Sequence, residues 1–326
     1  MTLTQLRYLV AIADSRLNIT QAAARVHATQ PGLSKQLKQL EDELGFLLFV
    51  RRGRSLDAIT PAGRQVLEHA RRILDEAAKI RAWAANERGQ AAGRLVLATT
   101  HTQARHVLPT AIAHVKRAFP NVSVHLQPLA DGEVLDHLAR GQADFAVVSS
   151  SGAAPSGGLA IPLYRWRRVV LVPRGHALAH REHGPSIDEL AAHPLVSYES
   201  STRADSSLQQ AFNAAGHDPR FAMTARDADL IKTYVRAGLG VGVLAEMAVG
   251  DPDADLVALP APALPECVAW AVLPRERVLR DYALELLAAL APQIDRRDVR
   301  RVLEGNAPAD WPPAPAWGRT HAAPVA

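Results

Sequence analysis

Apolar residues recur at helical spacing through the first third of the chain and in strand-like runs beyond it. Leu6, Leu9, Val10 and Ala13 mark one face of a helix over about 3–13, and Ile19 to Val26 is a short second helix rich in alanine. Some four residues later Leu33, Leu37, Leu40 and Leu44, spaced four, three and four apart, define the buried stripe of a third helix. Thr29 stands where its oxygen can cap free amides, and Pro31 falls in the first turn, where a missing N–H costs little. The opposite face carries Gln30, Ser34, Lys35, Lys38 and Gln39. Amides on that face can read base edges and lysines can meet phosphates, so the pair predicts a helix-turn-helix with its second helix in a DNA major groove. An ordinary amphipathic helix shares this pattern, and the residues that follow favour DNA. Phe46 to Phe49 is apolar, Arg51, Arg52 and Arg54 surround Gly53, and Leu56 to Thr60 runs into Pro61. That is a hairpin wing with a basic turn, suited to the phosphate backbone or the minor groove.

From Pro61 to Gly89 nothing breaks a helix. Val66, Ala70, Ile73, Ala77, Ile80 and Ala84 alternate spacings of four and three, while Arg71, Arg72, Asp75, Glu76, Lys79 and Arg81 occupy other faces. A seam of nearly three heptads predicts pairing with the same helix of a second chain, and hence a two-part DNA site. Gly89 to Gly93 reads as a flexible joint. Strand Arg94–Thr99, helix Gln103–Phe119, strand Val122–Gln127, helix Gly132–Arg140 and strand Phe145–Val148 then follow in βαβαβ order, which predicts a parallel sheet. Trp166 to Val172 opens a second set, with strands near Leu195–Tyr198, Val241–Leu244 and Val268–Leu273, and helices near Ile187–Ala191, Ala204–Ala215 and Ala228–Ala237. Tyr282–Leu290 closes it. Two α/β lobes joined by extended crossovers make a ligand cleft. The expected division is 1–60, 61–92, 93–294 and a disordered tail at 295–326, with lobe I about 93–162 and 268–294 and lobe II about 163–267.

With 326 residues, 48% of them hydrophobic, two or three domains with real cores are possible. Residues 1–92 hold 14 Lys and Arg against 9 Asp and Glu, and the remainder 23 against 24. The excess positive charge therefore sits on the segment that carries the helix-turn-helix. The start lacks the order of a secretory signal, and no apolar run approaches the length of a membrane span, so a cytoplasmic protein with no membrane part is expected. A single cysteine, Cys267, excludes an internal disulfide, and its apolar setting predicts an inert thiol. The histidines show no metal-ligand spacing, so no metal is assigned. Gly238, Gly240 and Gly242 follow a helix and precede a strand, the reverse of a dinucleotide site. Ser149, Ser150 and Ser151 lack a nucleophile-elbow spacing, and no catalytic residue is assigned.

Thr100 and Thr102 lie between a strand and a helix expected to begin near Gln103. Hydroxyls and free amides at a positive helix end suit a small oxyanion, and simple capping by Thr102 suits the same residues.

The order of parts resembles the LysR-type bacterial transcriptional regulators over residues 1 to about 294. The residues that carry it are Leu6, Ala22 to Ala24, Thr29, Gln30, Pro31, Ser34, Leu40, Glu41, Leu44, Gly45, Leu48, Phe49, Arg51, Thr60, Pro61 and Gly63. Within that family TTHTQARHVLP, Thr99 to Pro109, resembles the CysB-like branch that controls sulfur assimilation. Further likeness lies in ADFAVVSS, LYRWRRVVLVPRGHAL and VSYESSTRADSSLQQAF. His106 stands where that branch has Tyr, and Ser149 where it has Thr. The resemblance implies an α/β chain with an N-terminal winged helix-turn-helix, a linker helix and a two-lobed, periplasmic-binding-protein-like effector domain. It implies promoter DNA contacted through Thr29, Gln30, Pro31, Ser34, Lys35, Lys38, Arg51, Arg52 and Arg54, and RNA polymerase as a partner. It implies a dimer through the linker helix and a tetramer from two dimers. The effector, one of sulfate, thiosulfate, O-acetylserine, N-acetylserine or adenylylsulfate, would meet Thr100, Thr102, Gln103, Ser149 and Thr202, with no other cofactor. Trp166 fits either the pocket wall or a buried hinge. Another LysR-type effector, aromatic or organic acid, stays open, and a solute-binding protein or α/β enzyme is a remote alternative.

Overall fold

The computed structural model describes the chain except Arg54, residues 89–91, Glu182, residues 251–252, 276–278 and 319–326, and the side chains of 75, 79, 82, 83 and 85–87. It divides into two units, Met1–Arg88 and Gly89–Ala326. In the first, helices α1 (Leu3–Asp14), α2 (Ile19–Arg25) and α3 (Gln30–Leu44) precede a hairpin of β1 (Phe49–Arg52) and β2 (Ser55–Ile59), and α4 (Pro61–Glu87) follows. Each start is capped locally: Thr2 and Gln5 form a capping box on α1, Asn18 accepts from the Gln21 amide, and Thr29 accepts from the Gly32 amide. Ala22 and Ala23 of α2 are buried among Leu6, Leu9, Ile12, Leu33, Leu37 and Leu40. Helix α3 ends at Gly45, whose φ of 80° needs a residue without a Cβ. Gly63 must also be small, because a Cβ there would lie 2.1 Å from the Leu48 carbonyl.

The linker helix corrects the single-seam reading. Ala70 is buried in the reading head's own core with Leu67, and Val66 and Leu74 pack against it. Ile73 and Ile80 are exposed, Ile80 at 67%, and Ala77 and Ala84 are half-buried. The helix thus spends its first turns on its own domain and leaves an apolar edge only beyond Ala70. The side chains of Asp75 and Lys79, and most of the expected glycine joint, lie outside the described residues.

The second unit holds two five-stranded sheets. The first runs β4–β3–β5–β12–β6, from β3 (Gly93–Thr99), β4 (Val122–Pro128), β5 (Phe145–Ser150), β6 (Leu159–Trp166) and β12 (Cys267–Leu273). The second runs β11–β7–β10–β8–β9, from β7 (Arg168–Pro173), β8 (Leu195–Tyr198), β9 (Phe221–Ala225), β10 (Val241–Ala245) and β11 (Leu256–Pro260). Both are mixed rather than parallel. β3 is parallel to β4 and β5, but β12, returning from the second lobe, fills the slot between β5 and β6 and runs against both. Because β6 belongs to the first sheet, the outward crossover lies at Arg167 and not near 162. Val107, Leu108 and Val115 cover one face of this sheet together with α11 (Asp281–Leu290), and Val134 and Leu138 of α7 (Asp131–Ala139) cover the other.

Two further expectations are corrected. The helix expected over 103–119 is two helices, α5 (His101–His106) and α6 (Leu108–Ala118), parted at Val107 with Pro109 in the first turn of α6. The region expected to be a disordered tail contains α12 (Arg296–Leu303), with Val299 buried, and an extended stretch that pairs with β6. Composition rich in Pro and Ala concealed two tryptophans, Trp311 and Trp317, with apolar area enough to anchor it.

Candidate functional site

On the reading head, Thr29, Gln30, Pro31, Lys35 and Lys38 are exposed along the start and outer face of α3, and Ser34 is half-buried. Arg52 is exposed at the wing, and Arg54 lies outside the described residues. Arg51 has a second duty. Its guanidinium meets the Glu41 carboxylate at 2.6 Å, and that side chain is only 2% exposed. The other Glu41 oxygen accepts the amides of Leu48 and Phe49 at 2.9 and 3.4 Å. A carboxylate on the inner face of α3 therefore clamps the first residues of the wing, and Arg51 supplies its countercharge. Glu41 breaks the apolar stripe one residue after Leu40, which is the sequence signal for this clamp.

In the second unit a cleft of about 710 Å³ separates the lobes. Thr100, Thr102, Gln103, Ser149 and Trp166 all line it. Thr202 does not: its hydroxyl donates to the Glu199 carbonyl at 2.8 Å within its own turn, and Ser200, Ser201 and Arg203 face the cleft instead. Helix α5 begins two residues earlier than expected, with Thr100 at its N-cap making no side-chain cap bond. Thr102 is thus inside the helix and is not the cap, and its hydroxyl donates to Tyr198 Oη at 3.3 Å. Tyr198 also accepts the Ala245 amide, and burial raises its pKa, so the phenol stays protonated. Trp166, the last residue of β6, is both wall and hinge: it lines the cleft at the crossover and is 8% exposed.

Ser149 is the hub. Its Oγ accepts Gln103 Nε2 at 3.1 Å and Trp166 Nε1 at 3.2 Å. A hydroxyl has two acceptor positions and one proton, so with both positions filled Ser149 can act toward the cleft only as a donor. Neither neighbour can take a proton from it, so Ser149 is not an activated nucleophile. Arg168 adds positive charge. It lies 5.7 Å from the Trp166 ring centre, donates to Cys267 Sγ at 3.3 Å, and has no carboxylate partner among the described residues. Arg203 and Arg226, also at the cleft, are held by Asp205 and Glu199. Burial raises the Cys267 pKa and keeps it a thiol. Tyr198, Arg168 and Ser201 escaped the sequence reading because each is contributed by lobe II, far along the chain from the Thr99–Pro109 motif. Among the described residues no group of His, Cys, Asp and Glu could hold a metal, and no helix is long and apolar enough to cross a membrane. Gly238 ends helix α10 (Ala228–Arg236) with a φ of 79°, a chain-turning role and not a phosphate cradle.

A reading helix with a clamped wing, joined in one chain to a two-lobed donor-rich cleft, is the make-up of a ligand-responsive regulator of transcription. Residues 3–64 match the bacterial regulatory helix-turn-helix proteins of the lysR family, and residues 88–295 match the LysR substrate binding domain. The chain belongs to the LysR family. It is 39% identical over 303 residues to the transcriptional regulator CysB of Haemophilus influenzae, covering 92% of this chain and 93% of that one. It is 37% identical to the regulator SsuR of Burkholderia cenocepacia, covering 93% and 99%. Among solved structures, the cofactor-binding domain of the Cbl transcriptional regulator aligns with a TM-score of 0.60 at 30% identity, covering 66% of this chain and 94% of that one. The branch resembled by the Thr99–Pro109 motif is the one these relatives occupy.

Proposed function

We propose that the chain activates genes of sulfate or organosulfur assimilation and cysteine synthesis, with a small oxyanion or an acyl-serine as effector. The observation that carries this reading is Ser149: with both acceptor positions filled, its proton can be donated only outward, beside the Thr100 hydroxyl and the Tyr198 phenol that accepts from Thr102. Neutral donors fixed in advance suit an oxyanion that has left water, and Arg168, with no carboxylate partner among the described residues, supplies long-range attraction. The cleft is far larger than a sulfate ion, so sulfate would need the lobes to close, whereas adenylylsulfate would fill more of the open space. Closure has a lever. Helix α5 lines the cleft at Thr102 and Gln103, and one turn on Arg105 meets Asp229 of lobe II at 2.5 Å. An effector that prefers the closed form shifts the population of lobe arrangements and, through them, subunit arrangement and the DNA half-sites engaged. The exposed Ile73 and Ile80 edge of α4 supports a dimer, two dimers would give a tetramer, and the working site is promoter DNA in the cytoplasm with RNA polymerase alongside.

Titrating the full chain with sulfate, thiosulfate, O-acetylserine, N-acetylserine and adenylylsulfate by calorimetry tests the effector class. Saturable heat with at least one is expected, and heat with none of the five overturns the sulfur reading. Footprints with and without the tightest ligand then test switching: identical protection on every promoter would refute it.

A further inference from the structure

The match to the substrate binding domain ends at residue 295, but the chain beyond it is built into lobe I. β6 is the edge strand of its sheet, and the C-terminal stretch covers that edge. The Arg165 amide donates to the Pro315 carbonyl at 2.8 Å, the Trp317 amide donates to the Arg165 carbonyl at 2.7 Å, and Trp311 Nε1 donates to the Ala160 carbonyl at 3.0 Å. Covering an edge explains the backbone bonds. It does not explain the tryptophan at 317. That ring lies against the buried Tyr164, with centroids 4.8 Å apart. Tyr164 in turn donates its hydroxyl to Gln103 Oε1.

The two ends of an amide look alike in shape and differ only in what they bond. Gln103 is buried, so the Tyr164 donor decides that its oxygen faces inward and its nitrogen faces Ser149. Turned half a revolution, the amide would offer Ser149 an acceptor, and the serine proton would be spent there instead of in the cleft. We propose that the C-terminal segment is a positioning element of the effector site: Trp317 holds Tyr164, Tyr164 orients the Gln103 amide, and the amide keeps Ser149 a donor toward the ligand. This rests on the oxyanion reading of the cleft. It assigns the segment a part in ligand affinity as well as in sheet stability.

The test uses the full chain and four forms of it: wild type, Tyr164→Phe, Trp317→Ala and Trp317→Phe. Tyr164→Phe keeps the ring beneath Trp317 and removes only the donor, so it tests the link from Tyr164 to Gln103. Trp317→Ala tests the link from the segment to Tyr164: a segment that merely covers the sheet would leave the Trp166 resonance unmoved in Trp317→Ala, which overturns the proposal. Two readouts are taken: sulfate titration by calorimetry, and the indole N–H resonance of Trp166 in protein labelled with ¹⁵N-tryptophan and no ligand, assigned with Trp166→Phe. Sulfate affinity is expected to fall about tenfold in Tyr164→Phe and in Trp317→Ala, and to return to within about threefold of wild type in Trp317→Phe. The Trp166 resonance should move in the first two variants, because its acceptor is Ser149. An unmoved resonance in Tyr164→Phe overturns the proposal, and so does a moved resonance with unchanged sulfate affinity. Wild type that binds no sulfate counts against the effector reading alone, and the resonance then decides the positioning role. If Trp317→Ala fails to fold, an unmoved resonance in Tyr164→Phe still overturns the proposal.

Discussion

On the reading head, Gln30, Lys35, Lys38 and Arg52 stand in solvent, each free to meet DNA without consulting the others. At the cleft, Gln103, Ser149 and Trp166 are bonded to one another with Tyr164 in the core behind them, and three of the four are buried. The difference lies in how each surface keeps its specificity. An exposed reader is selected by its groove, and its contribution is separable and screened by salt. A buried donor set must fix the direction of each hydrogen bond before the ligand arrives, and its contributions do not add.

The sharpest way to break that contrast is the buried Glu41 carboxylate of the head. Glu41→Ala would leave the Leu48 and Phe49 amides without their acceptor inside the core and release Arg51 from its partner. Arg51 is nearly half exposed and its charge is screened, so most of the cost comes from the amides, about 3 kcal/mol in all. Thermal unfolding followed by circular dichroism should show this as a large loss. A melting curve like wild type would mean that the wing holds its shape without the clamp.

Next in size is Gln103→Leu, which keeps the volume and removes both ends of the amide. Sulfate affinity should fall by roughly 1–3 kcal/mol. The more telling measurement is its double-mutant cycle with Ser149→Ala. In a network, the second substitution should cost much less in the presence of the first. Additive losses would show that Gln103 and Ser149 act on the ligand separately, and the contrast with the head would collapse.

Lys35→Ala and Lys38→Ala probe the exposed surface. Each should reduce the slope of log affinity against log salt by about 0.9 if its ammonium meets one phosphate. Binding measured between about 50 and 200 mM salt gives that slope, and the two losses should add. A slope unchanged in either variant removes that lysine from the backbone contacts.

The same contrast governs what could be read from the chain. The head was legible because its signals are local: a leucine stripe at spacings of four and three, a cap at Thr29 and a proline in the first turn. Of the five cleft residues on lobe I, Thr100 and Thr102 were legible from their place between a strand and a helix start. Gln103, Ser149 and Trp166 were legible only through the family resemblance, since nothing in TTHTQARHVLP says which way the Gln103 amide faces. Thr202 was misplaced because a hydroxyl near a helical turn can cap its own backbone, and here it does. Tyr164, Tyr198 and Arg168 were passed over because their partners lie far off in sequence, and hydrogen-bond partners carry no periodicity. The C-terminal segment was missed for a different reason: composition weighs many Pro and Ala residues above two tryptophans, whereas burial weighs area.

His106, the position where the branch has Tyr, gives the smallest effect and a clear sign. It is half-buried on α5, and burial first, then the Lys232 charge, lower its pKa below the ordinary 6.5. Asp229 pulls the other way, Arg105 lowers it further, and Asp227 opposes. In the folded chain the ring is therefore reluctant to take a proton that it accepts readily when unfolded. The folded state has its full advantage above about 6.5 and loses it as pH falls toward the lowered value. Comparing melting temperatures at about pH 7.5 and 5.5 should show a drop in wild type that is smaller in His106→Gln, which cannot titrate. The drop should not vanish, because His176 is lowered too, by burial and by its neighbour His193. The carboxylates that meet Lys232 lie outside this window, since Asp229 and Asp253 are lowered from 3.8 and stay ionised throughout it. Equal drops in the two proteins would place the acid sensitivity elsewhere and leave His106 a packing residue only.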